Sequence, residues 1–279
     1  VPLVDENRVL VRLGLERINA APRPGLKALI EAAGLSDATL TAGNIGFQLA
    51  PRLNAGGRIG SAKRSYDLLA ATEPAEAATI AAELEEENRT RRDVEEQIQL
   101  EAEAQLESFD FPAHRALVLA GKDWNPGVIG LTASRLVEKY HYPTILLSER
   151  DGVLTGSCRS IPGVDIHAAL TAVKHLLVKY GGHRQAAGLT LTADHLDDFR
   201  AELDAWLFQN IPSAAYVPEM EYDLSVHFSE LTAAFVQELD ALAPTGFGNP
   251  APVLRATAIP VEARAVGRDG AHLRLTLSE

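Results

Sequence analysis

The longest regular pattern of apolar positions runs through residues 73–108. This segment contains no glycine, and Pro74, its one proline, stands where the first helical turn accepts proline. Ala, Glu, Gln and Leu dominate it, and all four are good helix formers. The apolar stripe lapses between Glu85 and Asp93, so the pattern predicts a single long helix and not a strict coiled coil. About 35 helical residues span about 50 Å, which predicts a connector between two domains. The stripe consists of Ile80, Leu84, Val94, Ile98, Ala102 and Leu106.

Short apolar runs predict strands after the long helix. Two of these runs flank Asp151-Gly152, a dipeptide that strongly favours a tight hairpin turn. A further run, "AAGLTLTA", alternates apolar and polar residues as a half-buried strand does. The predicted strands cover 115–121, 142–149, 152–160 and 186–193.

Helix patterns separate these strands. Asn125 is a plausible cap for one helix, with Pro126 at its first position. A second helix is predicted to open on Asp165 and to end at Tyr180, and a closing helix is predicted to begin with Asp194 as its cap. Strands and helices together predict a compact α/β unit.

The two ends of the chain have residue patterns that differ from that of the α/β unit. Residues 1–72 mix short helical pieces with loops, and "QLAPRLNAGGRIGSA" is predicted to be a loop. After Pro212 the pattern changes to alternating strands that stop abruptly, which predicts an incomplete β domain. We therefore expect four parts, with bounds at 1–72, 73–108, 109–212 and 213–279.

Composition narrows the class of protein. Hydrophobic residues make up 46% and charged residues 23%, which is typical of a globular chain. No apolar run approaches the ~20 residues of a membrane span, and no secretion signal is recognisable. Cys158 is the single cysteine, so an intrachain disulfide is excluded and a cytoplasmic location is expected.

The net charge of −12 is unevenly distributed. Residues 73–107 hold 12 acidic and 3 basic residues, a balance of −9, so the remaining residues carry only −3. Local basic patches are therefore compatible with the acidic total, and a nucleic-acid partner is not excluded.

The stretch "KYGGHRQAAG" is the first candidate site. Gly181 and Gly182 fit a helix C-cap, because the left-handed conformation favours glycine there. They also fit a loop whose backbone approaches an anion, with His183 contacting a phosphate oxygen. The small residues that follow, including Gly188, predict tight packing over the next strand. Both interpretations of the glycines remain open at this level.

Two basic segments are further candidates. "TGSCRSIPG" offers the hydroxyls of Ser157 and Ser160 and the guanidinium of Arg159, a planar fork suited to phosphate; an incidental arginine at an exposed strand end is the alternative. Cys158 between them is expected to be buried and not a nucleophile. "PRLNAGGRIGSAKR" is the densest basic cluster, either a solvated loop or a loop that approaches a polyanion.

Several catalytic motifs are absent from the sequence. There is no P-loop, no GxGxxG, no HExxH and no CxxC, and no short region concentrates Asp and His for a metal pair. The chain therefore shows candidate phosphate-binding residues without a catalytic group.

Five motifs together resemble one family. Their order and spacing are similar to those of the RecJ family of single-strand-specific 5′→3′ DNA exonucleases, in the DHH phosphoesterase superfamily. The resemblance covers nearly the whole chain. It implies the tail of a DHH domain at 1–72, a connecting helix at 73–108, a DHH-associated α/β domain at 109–212 and the start of an OB-type β-barrel at 213–279. The motifs are "PRLNAGGR", "DWNPGVIGLTASRLVEKYHYPTILLS", "GSCRSIPGVD", "GGHRQAAG" and "PTGFGNPAPV".

The resemblance also implies a function. It predicts hydrolysis of phosphodiesters from the 5′ end of single-stranded DNA, in repair and recombination, with two Mn²⁺ or Mg²⁺ ions whose ligands lie upstream of Val1. Single-stranded DNA is the expected partner, with a single-strand-binding protein and a helicase as further candidates. No membrane partner is expected. Trp124, Tyr222 and Phe247 are either base-stacking residues or, more in keeping with their types, core residues. The implied substrate-binding residues are Ser157, Arg159, Ser160, Gly181, Gly182 and His183, with Arg52, Asn54 and Arg58 facing them from the DHH side.

Two other functions compete with this one. One alternative is that the chain by itself is a non-catalytic module that binds single-stranded nucleic acid. The other alternative is an oligoribonuclease or nucleotide phosphatase of the same superfamily. The "GFGNP" segment and the β-rich tail disfavour this alternative.

Overall fold

A computed structural model describes residues 1–279, except for the side chain of Asp269. The chain divides into two units that interleave along the sequence. The first unit comprises Val1–Arg23, Leu35–Gln48 and Glu219–Glu279, and the second comprises Pro24–Gly34 and Leu49–Pro218.

Helices occur in both units. In chain order they are α1 (Asp5–Ala20), α2 (Pro24–Ala32), α3 (Ala42–Asn44), α4 (Ala50–Ile59), α5 (Lys63–Ala70), α6 (Pro74–Leu106), α7 (Ile129–Tyr140), α8 (Ile166–Ala172), α9 (Leu196–Asn210) and α10 (Ala233–Asp240).

Strands begin after α6. They are β1 (Leu117–Lys122), β2 (Thr144–Arg150), β3 (Val153–Arg159), β4 (Lys179–Gly182), β5 (Ala186–Thr192), β6 (Leu224–Ser225), β7 (Leu254–Arg255), β8 (Ile259–Val266) and β9 (His272–Ser278).

A mixed sheet in the order β1-β2-β3-β5-β4 forms the centre of the second unit. Strands β1 and β2 are parallel, and the other neighbours are antiparallel. Asp151 and Gly152 join β2 to β3 with φ values of 53° and 75°. Positive φ at both central residues is what a type I′ hairpin turn requires. The predicted hairpin and the predicted α/β unit are both confirmed.

The two faces of this sheet are covered differently. One face packs on α8 and α9 through a large apolar core that includes Leu147, Phe199 and Leu203. The other face is covered by α6 over β1 and by α7 over β2 and part of β3, and Leu119 and Leu146 are buried beneath these helices. On β3 this second face carries the exposed Thr155, so the region beyond α7 is open.

Helix α6 confirms the predicted long helix, with Pro74 in its first turn. The lapse in its apolar stripe is occupied by the buried polar residues Asn88 and Arg91, and a third buried polar residue, Glu95, follows it. Arg91 Nη1 lies 2.5 Å from Glu95 Oε2, and Arg135 Nε of α7 lies 2.8 Å from Glu95 Oε1. Burial lowers the pKa of Arg91, and the Glu95 charge opposes that change. The buried side of the helix is thus apolar at both ends, with the Arg91–Glu95 ion pair between the apolar parts.

The predicted helix from Asp165 to Tyr180 is too long. Asp165 does cap α8, because its side chain accepts a hydrogen bond from Ala168 N at 2.9 Å, but the helix ends at Ala172. Residues 179–182 form β4, whose backbone pairs with β5. Strand β5 in turn pairs with the distant β3, so incorporation of this hairpin into the sheet overrides the helical pattern of the segment.

Two other helix starts differ from the prediction. Asn125 lies in a turn before α7: its carbonyl accepts from Val128 N and Ile129 N, and its side chain accepts from Gly127 N at 2.8 Å. Helix α7 then begins at Ile129. Asp194 lies within a 3₁₀ turn, and α9 follows at Leu196. In both places a tighter turn comes between the predicted cap and the helix.

The segment predicted as a glycine-rich loop is helical. A π-helical turn at Ile45–Leu49 leads into α4, which contains Gly56 and Gly57. A methyl group on Gly56 would lie 2.7 Å from Ser61 O and 3.0 Å from Glu87 Oε2. The glycine therefore serves close packing of α4 on α6, and the loop prediction is wrong.

The first unit contains the β-rich tail. Strands β8 and β9 form an antiparallel hairpin with an irregularity between Pro260 and Glu262, and β6 pairs with β7 in parallel. Leu3 N donates to Phe247 O at 2.7 Å, which joins the start of the chain to this tail. In the part of the chain that the structure describes, no helix is long and apolar enough to cross a membrane.

Candidate phosphate-binding site

The open face of β3, β5 and β4 brings together residues from two segments of the chain, β3 and the β4–β5 hairpin. Ser157 pairs with Gly188, which pairs in turn with Gly181. Arg159 pairs with Ala186, and Ala186 exchanges backbone hydrogen bonds with His183 at 2.8 and 3.3 Å. Directly paired residues share a sheet face. Ser157, Arg159 and His183 therefore rise from one face whose floor is glycine and alanine.

The Gly-Gly-His stretch is the end of a hairpin. Gly182 has φ 145°, and a methyl group there would lie 2.5 Å from Ala186 O, so this position requires glycine. Gly181 is exposed, and a methyl group on it would meet nothing within 4 Å. The helix C-cap interpretation is wrong, because both glycines belong to a strand. The space above Gly181 is open.

Gly188 is not tightly packed, contrary to the prediction. A methyl group on it would meet only Gly156 O at 3.6 Å, which is an ordinary contact. The tight position is Gly156 on the neighbouring strand, where a methyl group would lie 2.5 Å from Leu147 Cδ2.

Arg159 is held across the open face by its own strand. Its Nη1 donates to Cys158 O at 2.8 Å and to Ser157 Oγ at 3.1 Å. Burial lowers the pKa of the guanidinium, the neighbouring Cys158 opposes that change, and the positive charge of Arg58 lowers the pKa further. An arginine side chain stays protonated near neutral pH in proteins, so this guanidinium carries its positive charge.

Arg58 approaches the same place from α4. Its Nη1 donates to Gly127 O at 3.0 Å, in the loop before α7. Among the residues that the structure describes, no carboxylate forms an ion pair with Arg58 or Arg159. Two partly buried like charges without a carboxylate, beside the positive end of α7, are suited to an anion.

Three of the predicted residues lie elsewhere. Arg52 is buried and forms an ion pair with Glu85 of α6, so it anchors α4. Ser160 is buried and donates to Val164 O at 2.9 Å, away from the open face. Asn54 is exposed on α4, one turn before Arg58. The structure therefore groups Arg58 with Ser157 and Arg159, places Gly181 and His183 on the same sheet face, and does not bring Arg52, Asn54 or Ser160 into contact with them.

Two residues that adjoin the site, Gly127 and Gly130, were not predicted from the sequence. Gly127 contacts Arg58, and Gly130 lies against the side chains of Ser157 and Arg159. Two glycines in "NPGVIG", at the start of a predicted helix, were the available signal, because glycine is unfavourable within a helix.

The aromatic candidates and Cys158 have clear surroundings. Trp124 is buried, and its Nε1 donates to Glu101 Oε2 at 2.7 Å, so it is a core residue. Tyr222 and Phe247 are exposed, so assigning them to a core was wrong. Cys158 is buried as expected, and burial raises the pKa of its thiol to about 12, which makes it a poor nucleophile.

The described residues do not provide a metal site. They contain no group of three or more His, Cys, Asp or Glu side chains placed to hold a metal ion. The open face carries hydroxyl, guanidinium and imidazole groups, and hard divalent cations prefer carboxylate oxygens. The residues around Arg58 and Arg159 thus fit an anion and not Mn²⁺ or Mg²⁺.

The fold and this face define an α/β domain of the DHH-associated class. The DHHA1 domain model matches residues 113–209, and the RecJ OB domain model matches residues 222–279. The second match confirms the predicted OB-type assignment of the β-rich tail.

The similarity extends over nearly the whole chain. The single-stranded-DNA-specific exonuclease RecJ of Bacillus subtilis is 36% identical over 280 residues, covering 99% of this chain and 36% of that protein. The same protein from Escherichia coli is 34% identical over 284 residues, covering 99% of this chain and 49% of that protein. The crystal structure of Thermus thermophilus RecJ in complex with Mg²⁺ matches with a TM-score of 0.86 and 33% identity, covering 99% of this chain and 42% of that one.

The chain belongs to the RecJ family. It spans half or less of the length of the curated relatives it matches.

Proposed function

We propose that this chain binds the 5′-terminal phosphate of single-stranded DNA as part of a 5′→3′ exonuclease. The observation that carries the proposal is the pair Arg58 and Arg159, two charged groups without a carboxylate partner among the described residues, beside an open glycine floor. A phosphate group would complete their hydrogen bonding and neutralise their charge.

The surrounding side chains support a phosphate ester as ligand. Ser157 contributes a hydroxyl and His183 an exposed ring beside the floor. Because a methyl group on Gly181 would meet nothing within 4 Å, a nucleotide can approach the sheet there. In this proposal these groups bind and orient the phosphate.

We propose DNA hydrolysis because of the relatives of this chain. The proteins from Bacillus subtilis and Escherichia coli are named single-stranded-DNA-specific exonucleases, and Thermus thermophilus RecJ has been crystallised with Mg²⁺ and with Mn²⁺. In our proposal two such ions belong to a part of the protein other than this chain, which spans half or less of the length of its relatives. The OB-type tail would contact the strand through bases and backbone.

A second function is favoured by one observation. The described residues hold no metal-binding cluster, and the second candidate function is therefore that of a binding module that does not cleave DNA. From the resemblance alone, we also propose a single-strand-binding protein and a helicase as partners in the cytoplasm, which co-purification from cells would test.

The binding experiment compares two ligands. Fluorescence anisotropy would measure the affinity of the chain for oligothymidylate carrying a 5′-phosphate or a 5′-hydroxyl. Arg159→Ala should weaken binding of the phosphorylated oligonucleotide about 10- to 100-fold, since a charge-assisted hydrogen bond contributes about 1.5–3 kcal/mol. Arg150→Ala is the control, because Arg150 is exposed and pairs with Asp123 away from the site. Equal affinity of the unaltered chain for both ligands would refute the phosphate site.

The cleavage experiment separates the two functions. The N-terminal part of Thermus thermophilus RecJ would be joined ahead of Val1 and incubated with Mn²⁺ and 5′-phosphorylated single-stranded DNA. Release of nucleotides from the 5′ end by this protein but not by the 279-residue chain supports the exonuclease. Intact DNA with retained binding would leave the binding module as the function.

A further inference from the structure

Gly130 lies against the candidate phosphate-binding site from the first turn of α7. A methyl group on this glycine would lie 2.8 Å from Arg159 Nη2 and 2.8 Å from Ser157 Oγ. Real Cβ atoms do not approach other heavy atoms so closely, so any side chain at position 130 must displace one of these two groups.

The backbone does not explain the glycine. Gly130 lies inside α7, and it is not among the residues with positive φ. Alanine is more favourable than glycine within a helix, so local stability favours a different residue. The space taken by the Arg159 guanidinium does explain it.

The atoms that an alanine would meet are the ends of side chains. Arg159 Nη2 terminates a long flexible side chain, which can swing away at small cost to folding. Such a movement would break the bonds from Arg159 Nη1 to Ser157 Oγ and Cys158 O. An alanine at 130 should therefore change the position of the guanidinium more than the stability of the fold.

We propose that Gly130 is a positioning residue for phosphate recognition: its missing side chain sets the location of the Arg159 guanidinium. The inference rests on the proposed function, since it assigns Gly130 a role in the same phosphate site. Gly130 does not itself contact the ligand in this proposal. It acts by leaving space for Arg159.

The test is Gly130→Ala in the full 279-residue chain, with affinity measured for the 5′-phosphate and 5′-hydroxyl oligothymidylates and with the melting temperature followed by circular dichroism. We expect about a 10-fold loss of affinity for the phosphorylated ligand alone, which corresponds to about 1.4 kcal/mol. The melting temperature should be unchanged or higher. Gly14→Ala is the matched control, because Gly14 lies in helix α1 and a methyl group there meets nothing within 4 Å.

The outcomes separate this proposal from the phosphate site itself. If Arg159→Ala loses phosphate preference and Gly130→Ala keeps it, the positioning role is overturned while the site stands. If Gly130→Ala loses affinity for both ligands together with thermal stability, the glycine serves folding and the proposal is also overturned. If neither the unaltered chain nor Arg159→Ala distinguishes the two ligands, the proposed function fails first.

Discussion

Arg58 and Gly127 contact each other in both directions. Arg58 Nη1 donates to Gly127 O at 3.0 Å, and the α-carbon of Gly127 packs on the carbonyl oxygen of Arg58 so closely that a methyl group would overlap it. This contact joins the end of α4 to the loop before α7. It holds Arg58 near enough to Arg159 for the charge of one to lower the pKa of the other.

Gly127→Ala should destabilise the protein by about 1–3 kcal/mol, because the added methyl group meets main-chain atoms that cannot move independently. Urea denaturation followed by circular dichroism measures the loss. Gly14→Ala, with free space around it, should be neutral or stabilising. Equal stability of the Gly127→Ala variant and the unaltered chain would show that the Arg58 contact is not tight.

Ser160→Ala should lower the free energy of unfolding by about 1–3 kcal/mol, because the buried Val164 carbonyl loses its donor. Preference for a 5′-phosphate should persist, since the Ser160 hydroxyl points away from the open face. Urea denaturation tests the predicted loss of stability, and the anisotropy assay tests the retained preference for a 5′-phosphate. A variant that is stable but indifferent to the phosphate would place Ser160 in the site after all.

Glu95→Gln should cost about 3–5 kcal/mol, because it leaves the buried Arg91 without a full countercharge. The exposed pair Lys63–Asp67 supplies the comparison: Lys63→Ala should change stability by less than about 1 kcal/mol. Urea midpoints of the two variants measure the difference. Similar small effects would mean that water reaches the Arg91 side chain.

The stability contributed by Glu101 should depend on pH. Hydrogen bonds from Gln97, and then from Trp124, lower the pKa of its carboxyl below the usual 4.5. The ionised form therefore stabilises the fold above pH 4.5, and this contribution is lost as pH falls through the lower folded value.

Glu101→Gln should accordingly melt below the unaltered chain near pH 7, and the two should converge as pH falls below 4.5 and through the lowered pKa of the folded state. Circular dichroism measures the difference in melting temperature between the variant and the unaltered chain at neutral and at acidic pH. Glu96→Gln, an exposed residue on the same helix, should show no such convergence. A constant gap for Glu101→Gln would mean that the carboxylate charge is irrelevant.

Local chemistry was sufficient for several elements. Pro74 at a helix start, Asp165 as a cap and Asp151-Gly152 as a turn each act through neighbours in sequence, so their structures follow from residue type. Cys158 was likewise correctly expected to be buried, because it alternates with polar residues along a strand.

Long-range contacts explain the errors. The segment ending at Tyr180 has helical periodicity, yet its last residues form a hairpin with β5, and β5 pairs with β3. Gly56 has the appearance of a loop residue, yet it lies in α4 against the Glu87 carboxylate of α6 as well as the Ser61 carbonyl. Strand β3 and Glu87 are distant along the chain, so these contacts cannot be inferred from the local pattern.

The candidate site divides in the same way. Residue types alone identified Ser157, Ser160, Arg159 and His183 as suited to phosphate, because charge and donor geometry belong to the side chains themselves, and the family resemblance added Arg58. Only the tertiary structure decided that Ser157, Arg159 and His183 lie on one open face with Arg58 near Arg159, that Ser160 points to the core, and that glycines at 127 and 130 leave room for the arginines. Side-chain chemistry is local, whereas the face on which a residue lies, and the space left around it, depend on strands and helices distant along the chain.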